Sequence, residues 1–496
     1  MDWHLAGTEQ AFPNRHNRSA LFLMSLGIVV FLLSLIYIVK YFYAAKSASR
    51  RPCSNDCTVY ASPSGNDQNS GNSPSSPKTF LGAAAASRPG SIVCLLAGTY
   101  SLSSAFLPPA SGKPSAWIVY KSCDSGAVNF VWTGSADASP MFKLGNGTFP
   151  SGPAYLEFRG LNLDGRGNAA DGFFCRGAHH LRFISNSVTN TGGSGIGSIE
   201  CDYLTADHNV IYHNGRVPPS TKVPQWYSWT SGISFNSNQW FDTYPGFHNI
   251  ISNNIVADEV DQSSKHTDGN GIILDLSNRT EEYSSANTPP ALVINNVVYA
   301  NGGRCIEAFT VTNFWFVNNT CYKNVLDLPK STEASVSVNN SHDGYVINGL
   351  AVAWRGSDPC YAEENTTQNI EFFSNLCFES SNASPSSSRL QFMRADPLLV
   401  APPDLPRALE EQHADMPAPR LLGDRLMLLP GSPALGKGMD PSTLPGLPAE
   451  IVGDLKKYIY MDYNGKSRPR GGRFDLGACQ TSPIDSRSMD LGKVGN

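Results

Sequence analysis

Short apolar runs with an asparagine at their centre recur through the middle of the chain. Six asparagines mark them, at Asn186, Asn209, Asn254, Asn296, Asn319 and Asn375. Two of the separations are 23 residues, and the wider gaps of 45 and 42 residues fit one such coil plus an insertion. Repeats of about 20–50 residues are typical of solenoids, because each coil buries its apolar face only by stacking on its neighbours. The pattern predicts stacked β coils whose asparagines bond one another and the backbone from coil to coil.

A second repeat opens the strands of five coils, at Gly172, Gly195, Gly232, Gly271 and Arg304. Side chains alternate between the two faces of a strand, so the next residue in each coil defines an inward column, which consists of Phe173, Ile196, Ile233, Ile272 and Cys305. Two other, largely polar columns are predicted to line an outer groove. One consists of Arg176, Ile199, Asn236, Asp275 and Ala308, and the other of Asp171, Ser194, Ser231, Asn270 and Gly303.

Residues 20–39 form the one long apolar stretch, twenty residues without a charge. As a helix that rises about 1.5 Å per residue, this stretch spans the roughly 30 Å hydrocarbon layer of a bilayer. It runs into Lys40 and an aromatic belt at 41–43, which favours an uncleaved anchor over the alternative of a cleaved signal peptide. Basic residues lie on both sides of the stretch and leave its orientation open.

Cysteines and glycosylation sequons favour an oxidising compartment for the part that follows. All 11 cysteines lie at position 53 or later without a zinc-type pattern, so disulfides are expected, and the spacing permits the adjacent-coil pairs Cys175–Cys201 and Cys305–Cys321. Six sequons also follow the apolar stretch, at Asn146, Asn278, Asn318, Asn339, Asn365 and Asn382, although each can arise by chance in an Asn/Ser-rich chain. The sequence therefore predicts a single-pass type II membrane glycoprotein of the secretory pathway or cell surface, with a lumenal or extracellular ectodomain.

The charge balance restricts the partners. Charged residues make up 16% of the chain, the formal net charge is −5 and the pI is about 6.1. These values exclude a basic nucleic-acid-binding protein. The hydrophobic content of 41% excludes a mostly disordered chain, and the single apolar stretch excludes a multi-span membrane protein.

Residues 58–104 resemble the opening of right-handed parallel β-helix proteins of the pectate-lyase-like superfamily, with a first strand, a capping helix near 79–86 and a first coil. The middle coils and the motifs DPLLV, LPGSPALGKG and RPRGGRFDLGAC resemble the remainder of such a protein. The resemblance implies an all-β right-handed parallel β-helix, a solenoid, with an N-terminal capping helix and here one preceding transmembrane helix. The predicted organisation is a cytoplasmic tail at 1–19, a transmembrane signal-anchor at 20–43, a stem at 44–57, the β-helix at 58–398, a Pro-rich loop with a C-terminal cap at 399–480, and a tail at 481–496.

An aromatic insertion at 215–230 is a candidate substrate-binding loop, with Trp226, Tyr227 and Trp229. Aromatic rings stack on the apolar faces of sugars, and a loop beside a β-helix groove is where an extended glycan would lie. The alternative is that these rings pack the loop onto the coil. Asn236 and Asn270, in the outward columns, complete the predicted binding set.

An acidic insertion at 256–275 is a candidate calcium site. Its predicted ligands are Asp258, Asp261, Asp268 and Asp275. Calcium takes six to eight oxygen ligands, largely carboxylates and carbonyls, and this segment supplies several in a chain otherwise poor in charge. The alternative is a solvated acidic loop whose side chains make turn hydrogen bonds.

Calcium-dependent lyases of the resembling fold cleave uronate polymers by β-elimination, with an unprotonated lysine or arginine as the base. The resemblance implies Arg304, Lys265 or His266 for that role, and the alternative is that Arg304 and Lys265 are counter-ions to nearby carboxylates. The WIDH-type and RxPxxR-type motifs of the best-known pectate lyases are absent, as are the NTD, GHG and RIK motifs of polygalacturonase hydrolases.

The predicted function is a membrane-anchored polysaccharide-active enzyme, most readily a lyase that cleaves an acidic, uronate-containing glycan by β-elimination. One alternative is a non-catalytic glycan-binding or cell-wall or matrix protein on the same fold. A glycan epimerase is a further alternative, since it also needs a base but leaves the chain length unchanged. The expected partners are a polysaccharide and, through the N-terminal helix, a membrane, with no nucleic acid.

Overall fold

The computed structural model describes residues 56–123, 126–136, 139–215, 229–263, 267–276, 287–327, 333–380, 392–403, 405, 424–470 and 472–481. Within these ranges no helix has the length and apolar character needed to span a bilayer. The predicted transmembrane segment at 20–43 lies outside the described residues, so it stays a prediction.

In the described part of the chain, thirty short strands form three sheets in which neighbouring strands run parallel. Sheet A has eleven strands: β1 (Val59–Ala61), β2 (Ile92–Leu95), β4 (Ile118–Ser122), β7 (Ala154–Arg159), β10 (His179–Ile184), β13 (Asp202–Asp207), β16 (Asn249–Ser252), β19 (Ala291–Ile294), β22 (Phe314–Val317), β25 (His342–Ile347) and β28 (Gln368–Phe373). Sheet B has eleven strands: β3 (Gly98–Leu102), β5 (Val128–Trp132), β8 (Asn162–Asp164), β11 (Ser187–Thr189), β14 (Val210–Tyr212), β17 (Ile255–Ala257), β20 (Val297–Tyr299), β23 (Thr320–Tyr322), β26 (Leu350–Val352), β29 (Asn375–Phe378) and β30 (Phe392–Arg394). Sheet C has eight strands: β6 (Phe142–Leu144), β9 (Phe173–Arg176), β12 (Ile196–Ile199), β15 (Ser231–Asn236), β18 (Asn270–Asp275), β21 (Ile306–Phe309), β24 (Val336–Asn339) and β27 (Tyr361–Glu364).

Each middle coil contributes one strand to sheet C, then one to sheet A, then one to sheet B, before the next coil begins. This arrangement is a right-handed parallel β-helix and confirms the predicted fold. The interior is apolar, and the predicted inward column is fully buried at Phe173, Ile196, Ile233 and Ile272. Because such coils bury their apolar faces only against each other, the stacking itself forms the core.

The fifth coil is shifted by one residue from the predicted alignment. Ile306, not Cys305, pairs with Ile272 and fills the inward column. Asp275 consequently pairs with Phe309 instead of Ala308. A shift of one residue exchanges the two faces of a strand. The sequence alignment was wrong at this coil because Cys305 takes the place of the glycine, one position after Arg304.

The predicted asparagine ladder is confirmed in the turn between sheets A and B. The Asn186 side chain donates to Asn209 Oδ1 at 3.2 Å, and the Asn209 side chain donates to Asn254 Oδ1 at 3.0 Å. A second ladder lies five residues further along each coil and consists of Thr191, Asn214, Glu259, Asn301 and Asn324. These buried groups satisfy one another and the backbone, which is the condition for keeping polar groups inside a core.

Packed segments cover the N-terminal end and part of the sides of the described β-helix. Helix α1 (Phe80–Ala85) begins where the Thr79 hydroxyl accepts from the Gly82 amide, and its Phe80 ring packs among the aromatic rings of the first coils. This confirms the predicted capping helix. The C-terminal segment carries helix α2 (Ala449–Tyr458), and its apolar residues cover the outer faces of later strands of sheets A and B. Sheet C takes no part in either of these outer clusters.

Disulfides agree with one of the two predicted adjacent-coil pairs. Cys305 and Cys321 are bonded, and two further disulfides join Cys57 to Cys94 and Cys360 to Cys377. Cys175 and Cys201 are instead buried thiols in hydrogen-bond contact, so the second predicted pair is not a disulfide in this structure.

The six sequons differ in their access to solvent. Asn146 and Asn365 are exposed, as a glycan-bearing side chain must be. Asn318 is fully buried and accepts a hydrogen bond from Asn348, so the prediction of a glycan there is wrong. Asn339 is 8% exposed and accepts from Asn365. The remaining two, at 278 and 382, lie outside the described residues.

Candidate active site on the outer face of sheet C

The outer face of sheet C brings together residues from many coils. The strand register aligns one outward row of Arg176, Ile199, Asn236, Asp275, Phe309, Asn339 and Glu364. A parallel row contains Lys143, Phe174, Gly197, Ser234, Ile273, Glu307, Ser337 and Ala362. Since neighbouring parallel strands lie about 4.8 Å apart, side chains distant in sequence become neighbours on this face.

Four carboxylates and one guanidinium, called here the acid cluster, gather at the C-terminal half of this face: Asp275, Arg304, Glu307, Glu333 and Glu364. The Arg304 guanidinium lies 3.5 Å from Glu307, 3.3 Å from Glu333 and 3.1 Å from Glu364. The Glu307 side chain is 4% exposed, whereas those of Glu333 and Glu364 are each 27% exposed. Solvent therefore reaches the acid cluster from the side of Glu333 and Glu364.

Burial is the main cause that raises the pKa of Glu307 to about 7; the charge of Arg304 opposes the rise, and the nearby carboxylates Glu364, Asp275 and Glu333 contribute to it. A carboxyl group with a pKa near neutrality exchanges a proton readily under physiological conditions. Perturbed carboxyl groups of this kind are concentrated at functional sites, although ion-pair networks also produce them.

An arginine that acts as a base needs a lowered pKa, but the surroundings of Arg304 raise its pKa. Burial lowers the pKa of its guanidinium, but the charges of Glu307, Glu333 and Glu364 outweigh burial and raise the pKa above its ordinary value. The guanidinium therefore stays protonated. This does not support the predicted role of Arg304 as the proton acceptor, and it favours the alternative of a counter-ion.

Two other predicted residues lie directly against the acid cluster. The Asn236 side chain donates to Asp275 Oδ2 at 2.7 Å. The Asn270 side chain donates to Glu307 Oε2 at 3.2 Å and accepts from the Arg304 amide at 2.8 Å. Both asparagines are thus placed to orient the carboxylates by hydrogen bonding.

Several buried polar atoms on this face have no hydrogen-bond partner among the described residues. They are the hydroxyls of Ser231, Ser335 and Ser337 and the Nε atom of Arg304. Ser337 pairs in register with Glu307, so its hydroxyl lies on the same outward row. Buried polar groups are almost always hydrogen-bonded, and a local group of exceptions is typical of a site that binds a ligand or solvent.

The four predicted calcium ligands are not gathered into one cluster. Asp258 Oδ2 lies 2.6 Å from His213 Nδ1, and the Asp261 carboxylate accepts from backbone amides that include Ser263. Asp275 binds Asn236, as described above, and Asp268 is half-buried with its amide 3.5 Å from Asp261. Among the described residues, only one group of three His, Cys, Asp or Glu side chains has its ligand atoms close together. It consists of Cys57, Cys94 and Cys123, all of which are disulfide-bonded. The predicted donor set therefore does not fit a calcium ion.

Searches for related proteins return likenesses in fold. The crystal structure of pectate lyase Pel9A matches 87% of this chain and 100% of its own, with 16% identity and a TM-score of 0.46. A rhamnogalacturonan lyase matches 64% of this chain and 87% of its own at 14% identity and a TM-score of 0.38. The A-module of the Azotobacter vinelandii mannuronan C-5 epimerase AlgE4 matches 59% of this chain and 70% of its own at 17% identity and a TM-score of 0.38. No protein-family model and no curated protein matches the chain. No function follows from likenesses this distant.

Several predicted residues lie outside the described part of the chain. These are the candidate bases Lys265 and His266 and the candidate stacking residues Trp226 and Tyr227, which stay predictions. Trp229 is described, is 54% exposed, and donates its backbone amide to Asp261 at 3.4 Å. Its exposed ring is consistent with the predicted stacking role.

Sequence analysis missed Glu307, Glu333 and Glu364, the three carboxylates that surround Arg304. Glu307 and Glu364 occupy outward positions of their strands, but the one-residue shift at the fifth coil moved Glu307 off the predicted columns. The sequence did contain a signal for Glu307. It lies two residues after Cys305, which takes the place of the repeat glycine.

Proposed function

We propose that this protein is a polysaccharide-active enzyme and that its reaction takes place at the acid cluster. The observation that carries the proposal is Glu307, a buried carboxyl group with a pKa of about 7. Asp275, Asn236 and the Ser337 hydroxyl lie on the same outward face and supply hydrogen-bonding groups around it. The groove-like stack of coils suits a long polymer better than a small molecule.

The reaction that we propose is β-elimination on an acidic, uronate-containing glycan. Ionised Glu307 accepts the proton from the carbon beside the uronate carboxylate. The electron pair of that C–H bond forms a carbon–carbon double bond as the glycosidic C–O bond breaks, and the departing oxygen takes up a proton. A proton-exchanging group with a pKa near the working pH contributes roughly 10²–10⁴-fold to such a step. Calcium remains a prediction, and no step is assigned to it.

Hydrolysis is a second candidate, and the excess of carboxylates favours it. Four carboxylates face one guanidinium, so the acid cluster is negative when all are ionised and repels an anionic sugar unless it is countered. Glycoside hydrolases work with a pair of carboxyl groups, and Asp275 lies close enough to Glu307 to raise its pKa. A hydrolase would release reducing ends without an unsaturated product.

A panel of acidic and neutral polysaccharides tests the proposal with the full-length protein in detergent. Ultraviolet absorbance reports an unsaturated uronate, and a reducing-end assay reports any cleavage. We expect both signals on a uronate polymer, with loss of both in Glu307→Gln. The matched control is Glu157→Gln, a similarly buried glutamate on sheet A that pairs with Arg159.

The outcomes separate the alternatives. Reducing ends without absorbance indicate hydrolysis, and an altered sugar composition by NMR without cleavage indicates epimerisation. Binding without any chemical change on the whole panel contradicts the enzyme proposal and leaves the non-catalytic glycan-binding protein. Metal analysis of the purified protein tests the calcium prediction separately.

We also propose that the protein is anchored by residues 20–43, with the β-helix in the lumen of the secretory pathway or at the cell surface. The three described disulfides support an oxidising compartment, because cytosolic thiols are kept reduced. Resistance to carbonate extraction tests the anchor. A mobility shift on glycosidase treatment that is lost in Asn146→Gln with Asn365→Gln tests the lumenal side.

A further inference from the structure

We propose that Lys143, Phe174 and Arg176, called here the cationic end of sheet C, form a subsite for an anionic group on the polysaccharide whose reacting segment lies at the acid cluster. The subsite rests on the proposed function. It adds the position and chemistry of a second contact and the direction in which the polymer lies.

Lys143 and Arg176, two cations without an ion-pair partner among the described residues, lie at the N-terminal end of this face. Lys143 on β6 pairs in register with Phe174 on β9, and Arg176 lies two residues beyond Phe174 on the same outward side. Arg176 is exposed and Lys143 is half-buried. Most charged groups of the acid cluster are paired, whereas neither of these cations lies within 4.0 Å of a carboxylate in the described ranges.

An aromatic residue, Phe174, is the neighbour of both cations on this face. Phe174 is half-buried on the outward face, and its Cδ2 atom would be 3.3 Å from a Cβ atom placed at Gly197. Glycine at 197 therefore leaves room for the ring to lie over the next coil. Sugars stack on aromatic rings through their apolar C–H faces, so a ring flanked by cations suits a sugar that carries an anionic group. An open surface cavity adjoins Lys143 and is lined by Leu107, Pro108, Asn146 and Pro153.

The charges on sheet C are segregated along the β-helix axis. Between β9 and β18 the outward rows carry the uncharged residues Gly197, Ile199, Ser234 and Asn236. Three strand spacings separate Arg176 from Asp275, about 14 Å at roughly 4.8 Å each. A polymer laid along the axis therefore places an anionic group at the cationic end while another sugar reaches the acid cluster.

The charges at the two ends of sheet C determine which end holds an anionic group of the polymer. The acid cluster carries an excess of negative charge and the cationic end carries positive charge, so an anionic group that is not on the reacting sugar is held preferentially at the cationic end. Attraction at these solvent-accessible cations is screened by salt, with a Debye length of about 8 Å at physiological ionic strength. Binding to the cationic end is therefore expected to weaken as salt is raised.

The test uses a full-length double variant that carries both Lys143→Ala and Arg176→Ala. The control is Arg166→Ala. Arg166 is also exposed, but it is paired with Asp164 and follows the end of strand β8 in sheet B. Affinity electrophoresis measures binding to a carboxylated, a sulfated and a neutral polysaccharide at low and high salt. We expect binding of an anionic polymer to weaken about tenfold at low salt in the double variant, with a smaller salt dependence. The neutral polymer and the control should be unaffected.

The outcomes distinguish this subsite from the proposed function. A loss on the carboxylated or the sulfated polymer alone identifies the anion that the subsite takes. Glu307→Gln should remove activity yet keep anionic binding, so a failure of catalysis leaves the binding result readable. In an active protein the double variant should raise KM for the anionic polymer with little change in kcat. Unchanged anionic binding, or an equal loss on the neutral polymer, overturns the subsite. Arg176→Lys, which keeps the charge, should restore most of the affinity and rules out misfolding.

Discussion

The outer faces of sheets A and C are built from the same repeat, yet their polar side chains have different surroundings. On sheet A, the rings of Tyr155, His180, Tyr203 and His248 stack in one column over successive coils, with centroids 4.5, 4.4 and 4.2 Å apart. On sheet C, the side chains at comparable places are carboxylates, a guanidinium and hydroxyls. The column on sheet A packs against itself, whereas the acid cluster on sheet C concentrates charge.

Hydrogen bonding reinforces this difference. Tyr203 donates to Asp242 at 2.8 Å, and the buried His248 pairs with Asp202 through Nδ1 at 2.7 Å and with the Tyr244 carbonyl through Nε2 at 2.8 Å. The polar atoms of Tyr203 and His248 are thus satisfied within the protein. On sheet C, Ser335 and Ser337 keep hydroxyls without a partner among the described residues. Buried polar atoms whose hydrogen bonds are all made within the protein indicate a structural role. Buried hydroxyls without a partner indicate a face that can bind a ligand.

Removal of Arg304 should produce the largest effect on stability. In Arg304→Ala, three glutamates that now share one guanidinium would face each other without it. Loss of one partner from a buried ion-pair network costs about 3–5 kcal/mol. Urea unfolding monitored by circular dichroism measures the change.

Arg182→Ala on sheet A is the matched control. Arg182 is 45% exposed, lies 3.6 Å from Glu157 and stacks over Trp117. Exposed ion pairs of this kind contribute about 0–1 kcal/mol, and the cation–π contact adds about as much. Equal destabilisation by the two substitutions would contradict the contrast between the two faces.

The second-largest effect is expected from Glu307, which should make the free energy of unfolding depend on pH. Its pKa is raised from 4.5 to about 7 by burial in the folded protein, so the folded state binds the proton more tightly than the unfolded state. The resulting stabilisation is complete below about pH 4.5 and is lost as pH rises through 7, a change of roughly 3 kcal/mol. Urea titrations at several pH values should show this slope in the native protein and a smaller one in Glu307→Gln. Asp171, whose pKa burial also raises to about 7, accounts for slope that remains. An undiminished slope would count against the protonated Glu307.

The fold could be predicted from the sequence because its determinants repeat. Asn186 and Asn209 are 23 residues apart, and the same separation places them one above the other in the structure. The site could be predicted only in part. The sequence places Asn236, Asn270 and Asp275 together because their coils share the glycine alignment. It does not place Glu307 with them, because the predicted alignment of the next coil is wrong by one residue.

Closeness in sequence misled the prediction of the calcium site. Asp258 and Asp261 are three residues apart from one another, yet they point into different surroundings. Asp258 has a φ of 60°, in the left-handed region, and its carboxylate meets His213 from another coil. In a solenoid the neighbours of a side chain come from adjacent coils, so clusters along the chain are poor predictors of clusters in space.

A conservative change on sheet A should have a smaller effect. Tyr203→Phe removes only the hydroxyl that donates to Asp242 and keeps the ring in the stacked column. The loss of one such hydrogen bond costs about 0.5–1.5 kcal/mol. Activity on any polysaccharide substrate should be unchanged, since the column lies on a different sheet from the acid cluster. A large loss of activity with intact folding would move the active site to sheet A.

The smallest effect is expected from the titration of His248. Burial lowers the pKa of its imidazole, but the hydrogen bond and charge of Asp202, with the Tyr244 carbonyl and the charge of Asp242, outweigh burial and raise the pKa above its ordinary value. The folded state therefore favours the imidazolium, whose contribution is present below the unfolded pKa of about 6.5 and is lost as pH rises through the raised value. NMR titration of the imidazole measures this directly. Asp202→Asn should lower that pKa without changing the titration of Glu307, because the two groups belong to different faces. A joint shift of both would mean that the faces are electrostatically coupled through the core.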